Sequence, residues 1–140
     1  MCGLSFQSAF LLPIFLLEFE VMEISNKENL LEFFISVFPK FETSWKSERN
    51  NFIDKNVFTA HGACAEFNHY FKEHFNEFSD DQLKTFFSSI EDLIVDSEPR
   101  TEIDNALCTC FLENIAQTES GELAKQFMGK HSAKFFDYWN

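Results

Sequence analysis

Breakers are what this chain has least of. Its 140 residues include only 4 Gly and 3 Pro, too few to punctuate a turn-rich β fold, and that scarcity favours long regular elements. Cysteine is also sparse. Cys2, Cys64, Cys108 and Cys110 are the whole set, too few and too irregularly spaced for a disulfide framework, so a cytoplasmic, reducing location is the simplest expectation. Positive charge is the third shortage: 11 Lys and Arg face 23 Asp and Glu, a net charge of −12. Nucleic acid and anionic membrane surfaces repel such a chain. No phosphate-binding glycine loop, serine-elbow motif or HExxH is present, and the expectation is of no enzyme, no metal and no cofactor.

What is there is phenylalanine, 20 of 140 residues, within a hydrophobic fraction of 45%. A chain of this length is one domain and can bury a real core without staples. The acidity is uneven: residues 66–104 hold 11 acids and 3 bases. An acidic surface of this kind suits solubility, and it also suits a basic protein partner.

The first 21 residues, "MCGLSFQSAFLLPIFLLEFEV", stand apart. They carry no Lys or Arg and lack a convincing cleavage site, unlike a secretory signal. Gln7, Ser8 and Pro13 break the apolar run, which is too short to span a bilayer. "MCGL" resembles the Cys-Gly start of amidotransferases with an N-terminal nucleophile. Those enzymes need a large β-rich fold, and no strand pattern here would build one. The expectation is that 1–21 is a start assigned too early or a dispensable extension, and that the domain covers 22–140.

From Met22 onward the pattern is helical. Ser25 and Glu28 form an S-x-x-E capping signature, followed by Leu30, Phe34, Val37, Phe38, Phe41 and Trp45 at helical spacing. Pro39 predicts a kink, or two short helices meeting at Phe38. Residues 47–56 read as a loop. A long helix is expected over 57–77, with Ala60, Cys64, Phe67, Phe71, Phe75 and Phe78 as its stripe. Ser79 and Gln82 form a second capping box, opening a helix to about 95 that buries Leu83, Phe86, Phe87, Ile90 and Ile94. A helix over about 103–116 follows, then a short one over 121–128 capped by Gly129, and a last amphipathic turn or two. The fold class is all-α, a single compact domain of five or six helices around the 103–116 helix.

"NALCTCFLENI" (105–115) raises a chemical question: metal site, redox pair or core? At about 100° per residue, Cys108 and Cys110 lie about 160° apart. They cannot converge on one zinc ion or form a relaxed disulfide within an intact helix. Cys110 falls on the inward face with Ile103, Leu107, Phe111 and Asn114, and core packing is the reading. Asn114 is then expected to be a buried amide bonded to loop backbone.

Glu66, His69 and Glu73 share a face of the 57–77 helix opposite the Phe stripe. One Glu66-x-x-His69 pair echoes di-iron bundles, which need two such pairs pointing inward. The outward face instead makes Glu66, His69, Glu73, Glu77, Asp80 and Asp81 the candidate partner-binding residues. His61-x-x-Cys64 lacks a second pair for metal, so His61 is expected to cap or hydrogen-bond locally.

"FPKFETSW" (38–45), "HGACAEFNHYF" (61–71), "FFSSIEDLI" (86–94), "NALCTCFLENI" and "GKHSAKFFDYW" (129–139) occur in that order. Together they resemble a family of small, acidic, all-helical bacterial domains of unknown function. Such proteins are similar to the immunity partners encoded beside polymorphic toxins, and the resemblance covers about 25–140. It implies a non-enzymatic protein-binding module that masks a basic toxin domain with an acidic face. A helical adaptor or chaperone-like protein binding a helix in an apolar groove is the alternative. An enzyme or metal-binding bundle built on the His and Glu of 57–77 is the third reading, and its mark would be polar groups converging inward.

Overall fold

The computed structural model describes residues 23–95 and 99–140. The expectations for 1–21 and for a start at Met22 lie outside the described residues. Among those described, seven helices and one two-stranded hairpin form the domain. The all-α expectation holds.

Helix α1 is Lys27–Val37. Its cap is Asn26, whose side chain accepts from Asn29 N at 2.8 Å, so the Ser25/Glu28 capping box does not form. Ser25 instead hydrogen-bonds the Asn29 side chain. Pro39 disfavours helical geometry at Phe38, which takes φ −125° and ψ 80°. The chain turns there and restarts as α2, Phe41–Trp45, as the proline led one to expect. Asn50 stitches the loop beyond, donating to Trp45 O at 2.8 Å and accepting from Phe52 N at 2.9 Å.

The end of that expected loop is a small hairpin. β1 (Ile53–Asp54) pairs antiparallel with β2 (Val57–Phe58). Lys55 and Asn56, with φ of 53° and 66°, make the turn, the primed geometry that suits strand twist. The hairpin delays the next helix: α3 is Ala60–His74, capped by Thr59, whose hydroxyl accepts from Gly62 N at 2.9 Å. A 3-10 turn, Phe75–Glu77, follows. The Ser79/Gln82 capping box is present in full and opens α4, Asp80–Glu91. Gln82 also donates to Val37 O at 3.0 Å, tying α4 to the end of α1.

Thr101 caps α5, residues 102–115, which is helical throughout but passes through a π-turn at Cys108–Leu112. Gln117, in left-handed conformation at φ 64°, ends it. Thr118 caps α6 (Glu119–Ala124), which runs into the 3-10 turn Lys125–Phe127, and α7 (Lys130–Trp139) closes the chain.

The core is built of rings. Phe67 on α3 stacks on Phe34 of α1 at 4.2 Å and 6°, and meets Phe41 of α2 edge-on at 5.2 Å. Phe86 of α4 and Phe111 of α5 lie 5.3 and 5.4 Å from it. All five are fully buried. Each such ring contributes roughly 1.5–3 kcal/mol of burial, with about 0.5–1.5 kcal/mol more for a good ring pair. Helix α3 packs against α1, α2 and α5 and buries nine of its residues, so it shares the centre of the domain with α5.

The C-terminal helices are tied down by polar contacts. Glu91 at the end of α4 reaches the first turn of α7, accepting from His131 N, from Ser132 N at 3.0 Å and from the Ser132 hydroxyl at 2.7 Å. Gly129 is therefore not the helix C-cap expected of it. Its φ is −81°, and it precedes α7 as the N-cap. A Cβ there would run into the Glu91 side chain, so a larger residue would have to push that carboxylate aside. Asn140 and Trp139 close back on Gln117 at 2.8 and 3.0 Å. Asp104, fully buried, holds the start of α5: it accepts from Arg100 at 2.9 Å, Val95 N at 3.2 Å and the Cys108 thiol at 3.4 Å.

Candidate partner-binding cleft

Because Pro39 breaks the first helical run, α2 folds over the outer side of α3 instead of continuing α1. Between α2, the loop after it and α3 lies an open cleft of about 570 Å³. The α3 wall supplies Glu66, His69, Tyr70, Glu73 and His74, and the facing side supplies Lys40, Thr43, Ser44, Ser47 and Arg49. Three of the expected partner-binding residues, Glu66, His69 and Glu73, therefore do share one site.

Glu66 is not the solvated rim residue expected. Packing of α2 leaves it only 9% exposed. Ser44 donates to its Oε2 at 3.1 Å, and His69 Nδ1 stands 4.0 Å from its Oε1. Burial pushes its carboxyl above the ordinary glutamate value, and Glu73 adds to the rise. The Ser44 bond and His69 only partly oppose it. The carboxylate is thus walled in, yet short of donors.

Tyr70 and His74, one helical turn apart, stack at 4.5 Å and 28°. His74 Nδ1 lies 2.9 Å from Glu77 Oε2, and that bond holds the Glu77 carboxyl below its usual range. Glu77 lines a smaller hollow of about 200 Å³ that shares Lys40 and Tyr70 with the cleft. Asp80 and Asp81 lie beyond it, exposed in the first turn of α4, where the helix dipole favours them. The six expected residues therefore fall in two groups: three in the cleft, three running outward from it.

Ser44, Lys40 and Arg49 belong to the site and were not expected there. Ser44 is 22 residues from Glu66, and no local pattern links them. His74 follows Tyr70 by one helical turn, but neither lies on the face marked by Glu66, His69 and Glu73.

The cysteines separate as expected, but in reversed roles. Cys108 is 1% exposed, while Cys110 is half-buried. The π-turn inserts one extra residue per turn, so positions after it shift by about 100° relative to a regular wheel. Ile115, fully buried, takes the inward place assigned to Asn114. Asn114 is exposed and donates to Cys110 O at 3.1 Å. Burial first, and Asp104 second, push the Cys108 thiol up to about 12. His61 does not bond locally: its Nδ1 lies 3.3 Å from Cys110 Sγ. Asn68, 3% exposed on α3, has a side-chain oxygen without a hydrogen-bond partner among the described residues. Among those residues no three of His, Cys, Asp and Glu converge as a metal ion would require. Nor is any described helix long and apolar enough to cross a membrane.

A family model for a domain of unknown function (DUF7674) matches residues 31–140. No curated protein and no solved structure matches the chain.

Proposed function

The chain belongs to the DUF7674 family of domains of unknown function, and from its surface we propose a non-enzymatic protein-binding module, an immunity protein that neutralises a cognate bacterial toxin in the cytoplasm. The observation that carries this reading is Glu66, a carboxylate 9% exposed at an open cleft, with one hydroxyl donor at 3.1 Å and a histidine at 4.0 Å. An Arg or Lys from a partner would supply the donors it lacks, and buried charge-assisted bonds of this kind are the strong ones. Glu73, Glu77, Asp80 and Asp81 extend the negative surface outward from the cleft. Lys40 and Arg49 on the opposite rim set the register, since a partner must offer its cation on the α3 side.

The test is protection by co-expression with the neighbouring gene product. Reversing Glu73, Glu77 and Asp81 to Lys is expected to keep the fold and weaken binding about tenfold or more, at about 0.5–1 kcal/mol per exposed pair plus the added repulsion. Salt is expected to slow association more than it speeds dissociation. Full protection by the triple variant would exclude this face.

A second reading is favoured by one observation. Glu66, His69, Tyr70 and His74 converge on a single cleft of small-ligand size, with one carboxyl raised. On that reading the cleft binds or turns over a small polar molecule. Asp81 separates the two readings, because it lies outside the cleft lining: its reversal would weaken a protein interface and spare a small-molecule site.

A further inference from the structure

We propose that Cys110, with His61 as its proton acceptor, is a site of thiol–disulfide exchange with small-molecule disulfides. The pair bridges two helices that meet at the centre of the fold: His61 in the first turn of α3, Cys110 in the π-turn of α5. His61 Nδ1 stands 3.3 Å from the sulfur, hydrogen-bond distance for a thiol and an imidazole, and the Thr109 hydroxyl lies 3.7 Å from the same sulfur. Both His61 and Cys110 are half-buried, whereas Cys64 and Cys108 are enclosed.

The other described cysteines supply the contrast. Cys64 is fully enclosed, and burial, then Cys110 and Cys108, push its thiol well up. Cys108 is enclosed and donates to Asp104, a carboxylate that opposes ionisation. Nucleophilic sulfur is thiolate, and exposure together with a neighbouring base selects the reactive one. The two point to opposite sides of α5: Cys108 lies in the core and Cys110 faces His61.

In the reaction the Cys110 thiol gives its proton to His61 Nδ1. The thiolate attacks one sulfur of the disulfide, and a new S–S bond forms as the reagent's S–S bond breaks. The departing thiolate recovers the proton from the imidazolium. The sum is a protein mixed disulfide and one free small thiol, with no other oxidant required.

The test uses the full-length protein and oxidised glutathione, with sites assigned by peptide mapping so that Cys2 is read separately. Cys110 is expected to be labelled while Cys64 and Cys108 are not. His61→Asn is expected to slow labelling about tenfold near neutrality and to matter far less in alkali, where hydroxide takes the thiol proton in place of the imidazole. A purely structural histidine would not produce that pH-dependent loss. If His61→Asn does not fold, selective labelling of Cys110 over Cys64 and Cys108 in the unaltered protein decides alone. An unreactive Cys110, or a folded His61→Asn protein labelled as fast as the unaltered one near neutrality, would overturn the proposal.

Discussion

Two glutamates on neighbouring helices have opposite fates. Glu91, at the end of α4, would be raised by burial, but the N–H groups of His131 and Ser132, the Ser132 hydroxyl and the His131 ring outweigh burial and hold its carboxyl below the usual value. Glu66, on α3, is raised because burial wins over its one hydroxyl bond and the distant His69. A carboxylate that receives backbone N–H groups at a helix N-terminus holds structure together. A carboxylate enclosed without enough donors costs stability and is left free to bind. The first belongs to the fold, and the second to the cleft.

Among single substitutions, the largest expected effect bears on neither glutamate. Phe67→Ala removes the ring that both the cleft helix and the core share, and should cost about 3–5 kcal/mol in chemical denaturation. That value sets the scale for the rest. Glu91→Ala should cost about 1–3 kcal/mol, because two backbone donors of α7 and the buried Ser132 hydroxyl lose their acceptor. Gly129→Ala should cost a similar amount, by driving Glu91 off the same donors. A Gly129→Ala variant as stable as the unaltered protein would show that the Glu91 contact is dispensable.

The pH dependence sharpens the contrast through its sign. Glu91 has a lowered carboxyl, so its stabilisation is complete above the unfolded glutamate value and is lost as pH falls through the lower folded value. Glu66 has a raised carboxyl, so its contribution is complete below the unfolded value and is lost as pH rises through the higher folded value. Glu66→Gln should therefore match the unaltered protein in acid and equal or exceed its melting temperature near neutrality. Glu91→Gln should do the reverse, with its deficit at neutral pH shrinking in acid. Parallel pH profiles for the two variants would show that Glu66 and Glu91 do not differ in this way.

The sequence was informative wherever a contact is local. The Phe67–Phe71 stripe, the Ser79/Gln82 box and the break at Pro39 are each written within four residues, and each is found. It was silent wherever the partner is distant. Glu91 meets Ser132 41 residues away, and Ser44 meets Glu66 across 22, so neither the α7 cap nor the recessed carboxylate could be read from spacing. The π-turn at Cys108–Leu112 has no residue signature, and one extra residue there was enough to exchange Asn114 for Ile115 on the buried face. Gly129 reads as a helix C-cap in the sequence, and the Glu91 side chain it faces lies 38 residues away. Three of the candidate site residues were placed in the cleft by one helical face, while the side of the cleft facing them came from a helix the sequence could only mark as displaced.

The most direct test of this account is the partner affinity of Glu66→Gln, measured beside its melting temperature and against the neighbouring gene product. Glutamine keeps the shape and can still accept from Ser44, so only the charge is removed. The account predicts a melting temperature unchanged or slightly raised, with affinity reduced about tenfold or more, as for one partner of an enclosed charge pair. Full affinity in a folded Glu66→Gln protein would contradict it.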